Sequence, residues 1–188
     1  LFEKTILLDP QNVQAYINLG MVKYSIGDKD GAIKLWKKSI DIKSDDNDSK
    51  AINNIANIYK EEKKYDKAIE QYRIASDKDS KNTMYLNNLA DTLRLNGKFD
   101  EALKVLNDSL KLNSSGMGTY FNLGLLYKDL NENIKALDSF KKSIQVNSAL
   151  TEAYYQTALI HLELKNQEEA LKFINKALEF SPNNLNYQ

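Results

Sequence analysis

Apolar residues return along this chain at steps of three and four, the stripe of an amphipathic helix. Tyr120, Leu123, Gly124 and Tyr127 show the stripe in one segment, and the same stripe recurs in others. Two short patterns repeat with it. The first reads Tyr16-Ile-Asn-Leu-Gly20, Ile52-Asn-Asn-Ile-Ala56, Leu86-Asn-Asn-Leu-Ala90, Tyr120-Phe-Asn-Leu-Gly124 and Tyr154-Tyr-Gln-Thr-Ala158. The second centres on Ala32, Ala68, Ala102, Ala136 and Ala170, each followed four residues later by Trp36, Tyr72, Leu106, Phe140 or Ile174. The last four alanines are 34 residues apart and the first interval is 36, the two extra residues falling in the acidic stretch Asp45-Asp46-Asn47-Asp48. A loop absorbs such an insertion at little cost. Pro10 and Pro182 lie 172 residues apart, five periods of 34 plus the same two, so the register holds over the whole chain.

Each unit therefore predicts a helical hairpin. A break follows the first helix at Gly27, Gly97 and Asn131, residues that tolerate the left-handed conformation closing a helix. Lys63 and Lys165 occupy the same slot, and those turns need other support. Asp30, Asp66, Asp100 and Glu168 then open the second helix, where acids suit the positive end of the helix dipole. Small residues come back at Gly20, Ala56, Ala90, Gly124 and Ala158, at the five alanines of the second pattern, and at Ser39, Ala75, Ser109, Ser143 and Ala177. Their expected role is close approach: the first helix meets the second backbone to backbone, and the later set does the same against the next unit. Tyr16, Trp36, Tyr59, Tyr72 and Phe140 fill the remaining space and supply most of the burial.

This 34-residue helix–turn–helix pattern resembles the tetratricopeptide repeat family. The resemblance spans residues 1–188 as a single array: 1–10 as the end of a preceding repeat, five repeats at 13–46, 49–82, 83–116, 117–150 and 151–184, and 185–188 as the start of a further one. It implies an all-α fold, a right-handed α-solenoid whose first helices line an inner, concave groove. The chain departs from the family pattern where Ser44, Ser80, Ser114 and Ser148 stand in place of a closing proline, and where Lys23 and His161 replace the aromatic seen at Tyr59 and Tyr127. An end repeat needs a polar cap, yet the last helix carries Leu171, Ile174, Leu178 and Phe180. Further repeats, a partner or a second copy of the chain are expected to cover it.

In such an array one position per repeat faces the groove just before a buried apolar residue: Asn18, Asn54, Asn88, Asn122 and Gln156. A carboxamide both donates and accepts, which suits the backbone of an extended peptide. The series resembles the asparagine-lined groove of the repeat arm of O-linked N-acetylglucosamine transferases. The chain is rich in Asn throughout, so incidental solvated amides are the competing reading. Neighbouring groove positions hold Lys50, Asn53, Asn57, Asn87, Asp91 and Arg94 in the second and third repeats, and Phe121, Leu125, Tyr155 and Leu159 in the fourth and fifth. The apolar four are either peptide anchors or packing residues against adjacent helices. The family's clamp for a chaperone's C-terminal carboxylate is not matched, because these positions hold too few Lys and Arg.

Composition narrows the remaining classes. Lys+Arg and Asp+Glu balance at 26 each, and only Arg73 and Arg94 are arginine, so nothing favours nucleic acid. No uninterrupted apolar run reaches the ~18–20 residues that span a bilayer, and no membrane insertion is expected. The absence of Cys excludes disulfides and thiolate chemistry without fixing a compartment. His161 is the single His, lies on the buried stripe of its helix and reads as a packing residue. Asp28-Lys-Asp30-Gly31 is a fragment of a calcium loop without its spacing or distal Glu, and Asp45, Asp46 and Asp48 read as a solvated loop before the helix after Ser49. No phosphate loop or catalytic set is present, and no cofactor or metal is expected. The expected function is a protein–protein interaction scaffold that holds a peptide segment. Its rivals are the substrate-recruiting arm of a larger enzyme such as a glycosyltransferase, and a self-assembling scaffold.

Overall fold

The computed structural model describes residues 1–42 and 48–184. Asp45, Asp46 and residues 185–188, to which the sequence assigned a loop and the start of a helix, lie outside the described residues. The described residues hold eleven helices and no strand, in two compact units. Unit 1, Leu1–Asn96, carries α1 (Phe2–Leu8), α2 (Val13–Ser25), α3 (Lys29–Asp41), α4 (Asp48–Glu61), α5 (Tyr65–Lys78) and α6 (Thr83–Leu95). Unit 2, Gly97–Gln188, carries α7 (Phe99–Leu112), α8 (Met117–Asp129), α9 (Asn133–Val146), α10 (Thr151–Glu163) and α11 (Gln167–Phe180).

Hairpins dominate the packing. In unit 1, α2 pairs with α3 and α4 with α5, while α3 rests on α4 and α5 on α6. In unit 2, α8 pairs with α9 and α10 with α11, while α7 rests on α8 and α9 on α10. The all-helical array of hairpins read from the sequence is the architecture observed.

One turn geometry closes the first helices. Gly27, Lys63, Gly97, Asn131 and Lys165 all have positive φ, between 57° and 86°. After α4, Lys64 N–H reaches back to Tyr59 C=O at 2.8 Å and Lys63 N–H to Lys60 C=O at 2.9 Å. Glu132 and Asn131 do the same onto Tyr127 and Lys128, and Asn166 and Lys165 onto His161 and Leu162. These paired bonds satisfy carbonyls that a helix end otherwise leaves open. They are the support that holds two lysines in a conformation costing an L-residue about 1–2 kcal/mol.

Several asparagines serve helix ends. Asn12 accepts from Ala15 N–H at 2.9 Å, Asn82 from Met84 N–H at 3.2 Å and Asn166 from Glu169 N–H at 3.4 Å, each capping the helix that follows. Asp28 caps α3 in the same way, onto Gly31 N–H at 2.9 Å. Behind α7 and α9, Asn113 and Asn147 accept from the N–H groups two residues on, at 3.1 and 3.0 Å. That local turn does the work of the missing proline.

The small positions are buried as expected: Ala32, Ala68, Ala75, Ala102, Ser109, Ala136, Ser143 and Ala177 are fully enclosed, and Ser39 nearly so. The two glycines of the first pattern correct the expected reason. A Cβ on Gly20 would lie 2.3 Å from Trp36 Nε1, and one on Gly124 would lie 2.4 Å from Phe140 Cε1. What meets each glycine is a ring of the second helix, not its backbone. Trp36 is 1% exposed and donates from Nε1 to Ile17 C=O at 3.1 Å, so the indole is fixed where the glycine leaves room. Around it Val13, Ile17, Ala32, Ala51, Ile55 and Ile58 form the main core of unit 1. In unit 2, Ala136, Phe140, Ala153 and Ile160 form the corresponding cluster.

Candidate functional site

The five amide positions fall on α2, α4, α6, α8 and α10, and all are partly exposed. Their hydrogen bonds differ. In unit 1, Asn18 Oδ1 accepts from Gln14 Nε2 at 2.8 Å, leaving Nδ2 without a partner among the described residues. Asn54 donates only to the Met21 sulfur at 3.4 Å, a weak acceptor, and its Oδ1 is open. Asn88 Nδ2 donates to Asn53 Oδ1 at 2.9 Å, joining α6 to α4, and keeps its own Oδ1 open. In unit 2, Gln156 is engaged at both ends, by Lys128 Nζ and by Glu152 Oε1, each at 2.8 Å. Asn122 lies partly buried on α8 with interactions of its own.

The neighbouring candidates divide sharply. Lys50 is exposed, with no ion pair among the described residues. Asn53 is 4% exposed and its carbonyl is taken by Asn88, so it braces α4 against α6 and has no open surface to offer. Asn57 is partly buried and accepts from Tyr72 Oη at 2.5 Å. Burial pushes that phenol well above its usual range, with the nearby Asp91 carboxylate adding to the shift. Asp91 is held between Lys60 at 3.1 Å and Arg94 at 2.9 Å, which neutralises Arg94 as a free cation. Asn87 is partly buried and engaged. Phe121 and Leu125 pack against the unit 2 core and stay partly exposed, the Phe121 ring 5.6 Å from that of Phe140. Tyr155 and Leu159 are partly exposed on α10.

Sequence reasoning missed the cations that bridge first helices. Lys60 reaches from α4 to Asp91 on α6, and Lys128 from α8 to Gln156 on α10. The signal was present, because Lys60, Arg94 and Lys128 recur at the 34-residue period.

No cluster of His, Cys, Asp or Glu that could hold a metal exists among the described residues, and no described helix is long and apolar enough to cross a membrane. The Asp28 carboxylate, part of the calcium-loop fragment in the sequence, is a helix cap that also pairs with Lys23 at 3.2 Å. Gly31 N–H and then Lys23 hold it below the usual carboxylate range. His161 is partly buried and stacks on Phe173, with ring centres 5.5 Å apart and planes 10° from parallel.

Known proteins share this fold. No curated protein matches the chain in sequence. A thermophilic tetratricopeptide-repeat protein of Thermus thermophilus superposes with a TM-score of 0.78 at 23% identity, over 93% of this chain and 94% of the other. MamA superposes at 0.69 with 26% identity, over 87% and 94%. YrrB, described as a tetratricopeptide-repeat protein with an unusual peptide-binding site, superposes at 0.65 with 20% identity, over 99% and 95%. Three family profiles, each described as a tetratricopeptide repeat, match residues 13–46 and 118–150, residues 53–116, and residues 151–184. With most of the chain matched and the hairpins in place, this protein belongs to the tetratricopeptide repeat family.

Proposed function

We propose that this chain is a protein–protein interaction scaffold that holds an extended peptide of its partner along the amide-bearing first helices of unit 1, α2, α4 and α6. The tetratricopeptide fold supports a scaffold role in general, and proteins built from it are as a rule not catalysts. The peptide reading rests on one observation. Asn18, Asn54 and Asn88 recur on α2, α4 and α6, partly exposed, each with one amide atom uncommitted. A donor at Asn18 and acceptors at Asn54 and Asn88 suit the alternating N–H and C=O groups of an extended backbone. Lys50 adds an exposed cation on α4. That a neighbour in fold, YrrB, is described with a peptide-binding site agrees with this reading.

The experiment retains partners from a cell lysate on the immobilised chain, identifies them by mass spectrometry, and repeats the capture with Asn18→Ala/Asn54→Ala. Neither side chain holds a buried group in place, so the variant keeps its fold, checked by circular dichroism. Partners lost from the variant but kept by the parent support the reading. Equal recovery from both removes the amide face from the account.

A further inference from the structure

Unit 2 carries a second surface that shares no residue with the amide series. Between α9, α10 and α11 lies a cleft of about 420 Å3, floored by Leu137, Ile144, Tyr154, Thr157, His161 and Phe173. Its lips are polar: Lys141 and Gln145 on α9, and Glu169 on α11. Helix geometry separates this cleft from the other face. At about 100° per residue, Tyr154, Thr157 and His161 point from one side of α10 while Tyr155, Gln156 and Leu159 point from the opposite side. We propose that this cleft is a docking site for an acidic peptide segment that inserts a bulky apolar side chain, independent of whatever the amide face holds.

The floor explains the apolar anchor. His161 stacks on Phe173 at 5.5 Å, and Phe173 is followed by Tyr154 at 6.3 Å and Tyr154 by Phe180 at 6.0 Å, a continuous run of aromatic rings. These rings are only partly buried by α9, α10 and α11, so they present contact area that a side chain from outside can cover.

The lips explain the acidic character. Helix α9 presents Lys135, Lys141 and Lys142 against a single acid of its own, Asp138. Lys135 pairs with Glu132 and Lys142 with Asp138, whereas Lys141 is exposed and pairs with no described acid. Across the cleft, Glu169 is bound to Lys172 at 3.3 Å, so the uncompensated charge at the mouth is the lysine's.

The same register one repeat earlier makes a second cleft, of about 440 Å3, with Leu110, Tyr120 and Tyr127 where the first has Ile144, Tyr154 and His161. There Lys135 stands 5.3 Å from the Tyr127 ring centre and Lys142 5.8 Å from that of Tyr120. Both clefts thus pair an aromatic floor with α9 lysines, and α9 is the helix they have in common.

The test uses the isotope-labelled full chain and three labelled hexapeptides, Asp-Asp-Trp-Leu-Asp-Asp, Asp-Asp-Ala-Ala-Asp-Asp and Lys-Lys-Trp-Leu-Lys-Lys. Binding is read as saturable shifts of the Tyr154, His161 and Phe173 resonances. The acidic tryptophan peptide is expected to move them, and the other two to leave them in place. Lys141→Glu, an exposed substitution, is expected to weaken that binding about tenfold or more by reversing the charge at the mouth. Cleft resonances unmoved by the acidic tryptophan peptide at millimolar concentration overturn the proposal, as do equal shifts with the lysine peptide. Shifts with chain concentration alone, which would give the cleft to a second copy, overturn it as well. Because the readout is local to α10 and α11, the outcome does not depend on the fate of the amide face.

Discussion

Replacing Gly20 by alanine tests the packing argument at its tightest point. The new methyl would sit 2.3, 2.7 and 2.8 Å from Nε1, Cδ1 and Cε2 of Trp36, well inside the ~3.5–4.0 Å at which carbon atoms attract. The indole has little room to retreat, being 1% exposed and tied to Ile17 C=O at 3.1 Å. Alanine in a helix interior gains about 0.5–1 kcal/mol over glycine. Overpacking a core costs about 1–3 kcal/mol, and a displaced indole leaves a buried N–H open at a further cost of about 1–3 kcal/mol if no new partner is found. The loss outweighs the gain, and a net destabilisation of about 1–3 kcal/mol is expected. Trp36 is the only tryptophan, so its fluorescence reports this joint directly. Urea unfolding followed by that emission should show an earlier midpoint, and the folded-state spectrum should shift to the red. In a Trp36→Leu background, followed by circular dichroism, the same alanine should be neutral or stabilising. An unchanged midpoint and emission in Gly20→Ala, or an equal cost in both backgrounds, would refute the idea that the ring dictates the glycine.

Other expectations follow from the turns and the amides. Lys165→Gly should raise the melting temperature, because glycine holds the φ of 59° at no steric cost, and a gain of about 0.5–1 kcal/mol remains after its greater unfolded freedom is counted; a lower melting temperature would count against strain at that turn. Asn88→Ala should cost about 1–3 kcal/mol in urea unfolding, since it strands the carbonyl of Asn53, which is 4% exposed. Asn54→Ala, whose one bond is to a sulfur at 3.4 Å, should be close to silent in the same assay.

The contrast between Asn54 and Asn88 marks how far the sequence could be read. Helices, hairpin pairing and the enclosed small positions were legible because each depends on a periodicity that survives in the residue types. The five left-handed turns were legible too, but only through register: nothing about Lys63 or Lys165 as lysines announces a positive φ, whereas their alignment with Gly27 and Gly97 does. The partner of each glycine was not legible, since a stripe of small residues is equally consistent with an approaching backbone or an approaching ring. Adjacent Asn53 and Asn54 look alike in sequence, yet one helical step of about 100° turns the first inward and the second outward. Phe121 and Leu125, apolar residues outside the main stripe, could not be placed from the sequence, and the structure packs both against the unit 2 core while leaving them partly exposed.

Asn88 and Gln156 are hydrogen-bonded to the neighbouring first helix, so under the proposed reading bracing and peptide binding draw on the same side chains. A carboxamide has two donor protons and two acceptor sites, so Asn88 can brace Asn53 through its donor and still offer an acceptor. Gln156, engaged by Lys128 at one end and Glu152 at the other, has less left to give. The series has its open atoms, at Asn18, Asn54 and Asn88, on one register of unit 1. If it served peptide binding alone, Asn88 would not be joined to a buried neighbour. Under the proposed reading unit 1 combines the two: Asn88 braces Asn53 through one end and leaves the other for a partner's backbone, while Asn54 touches only the Met21 sulfur and Asn18 bonds Gln14 of its own helix.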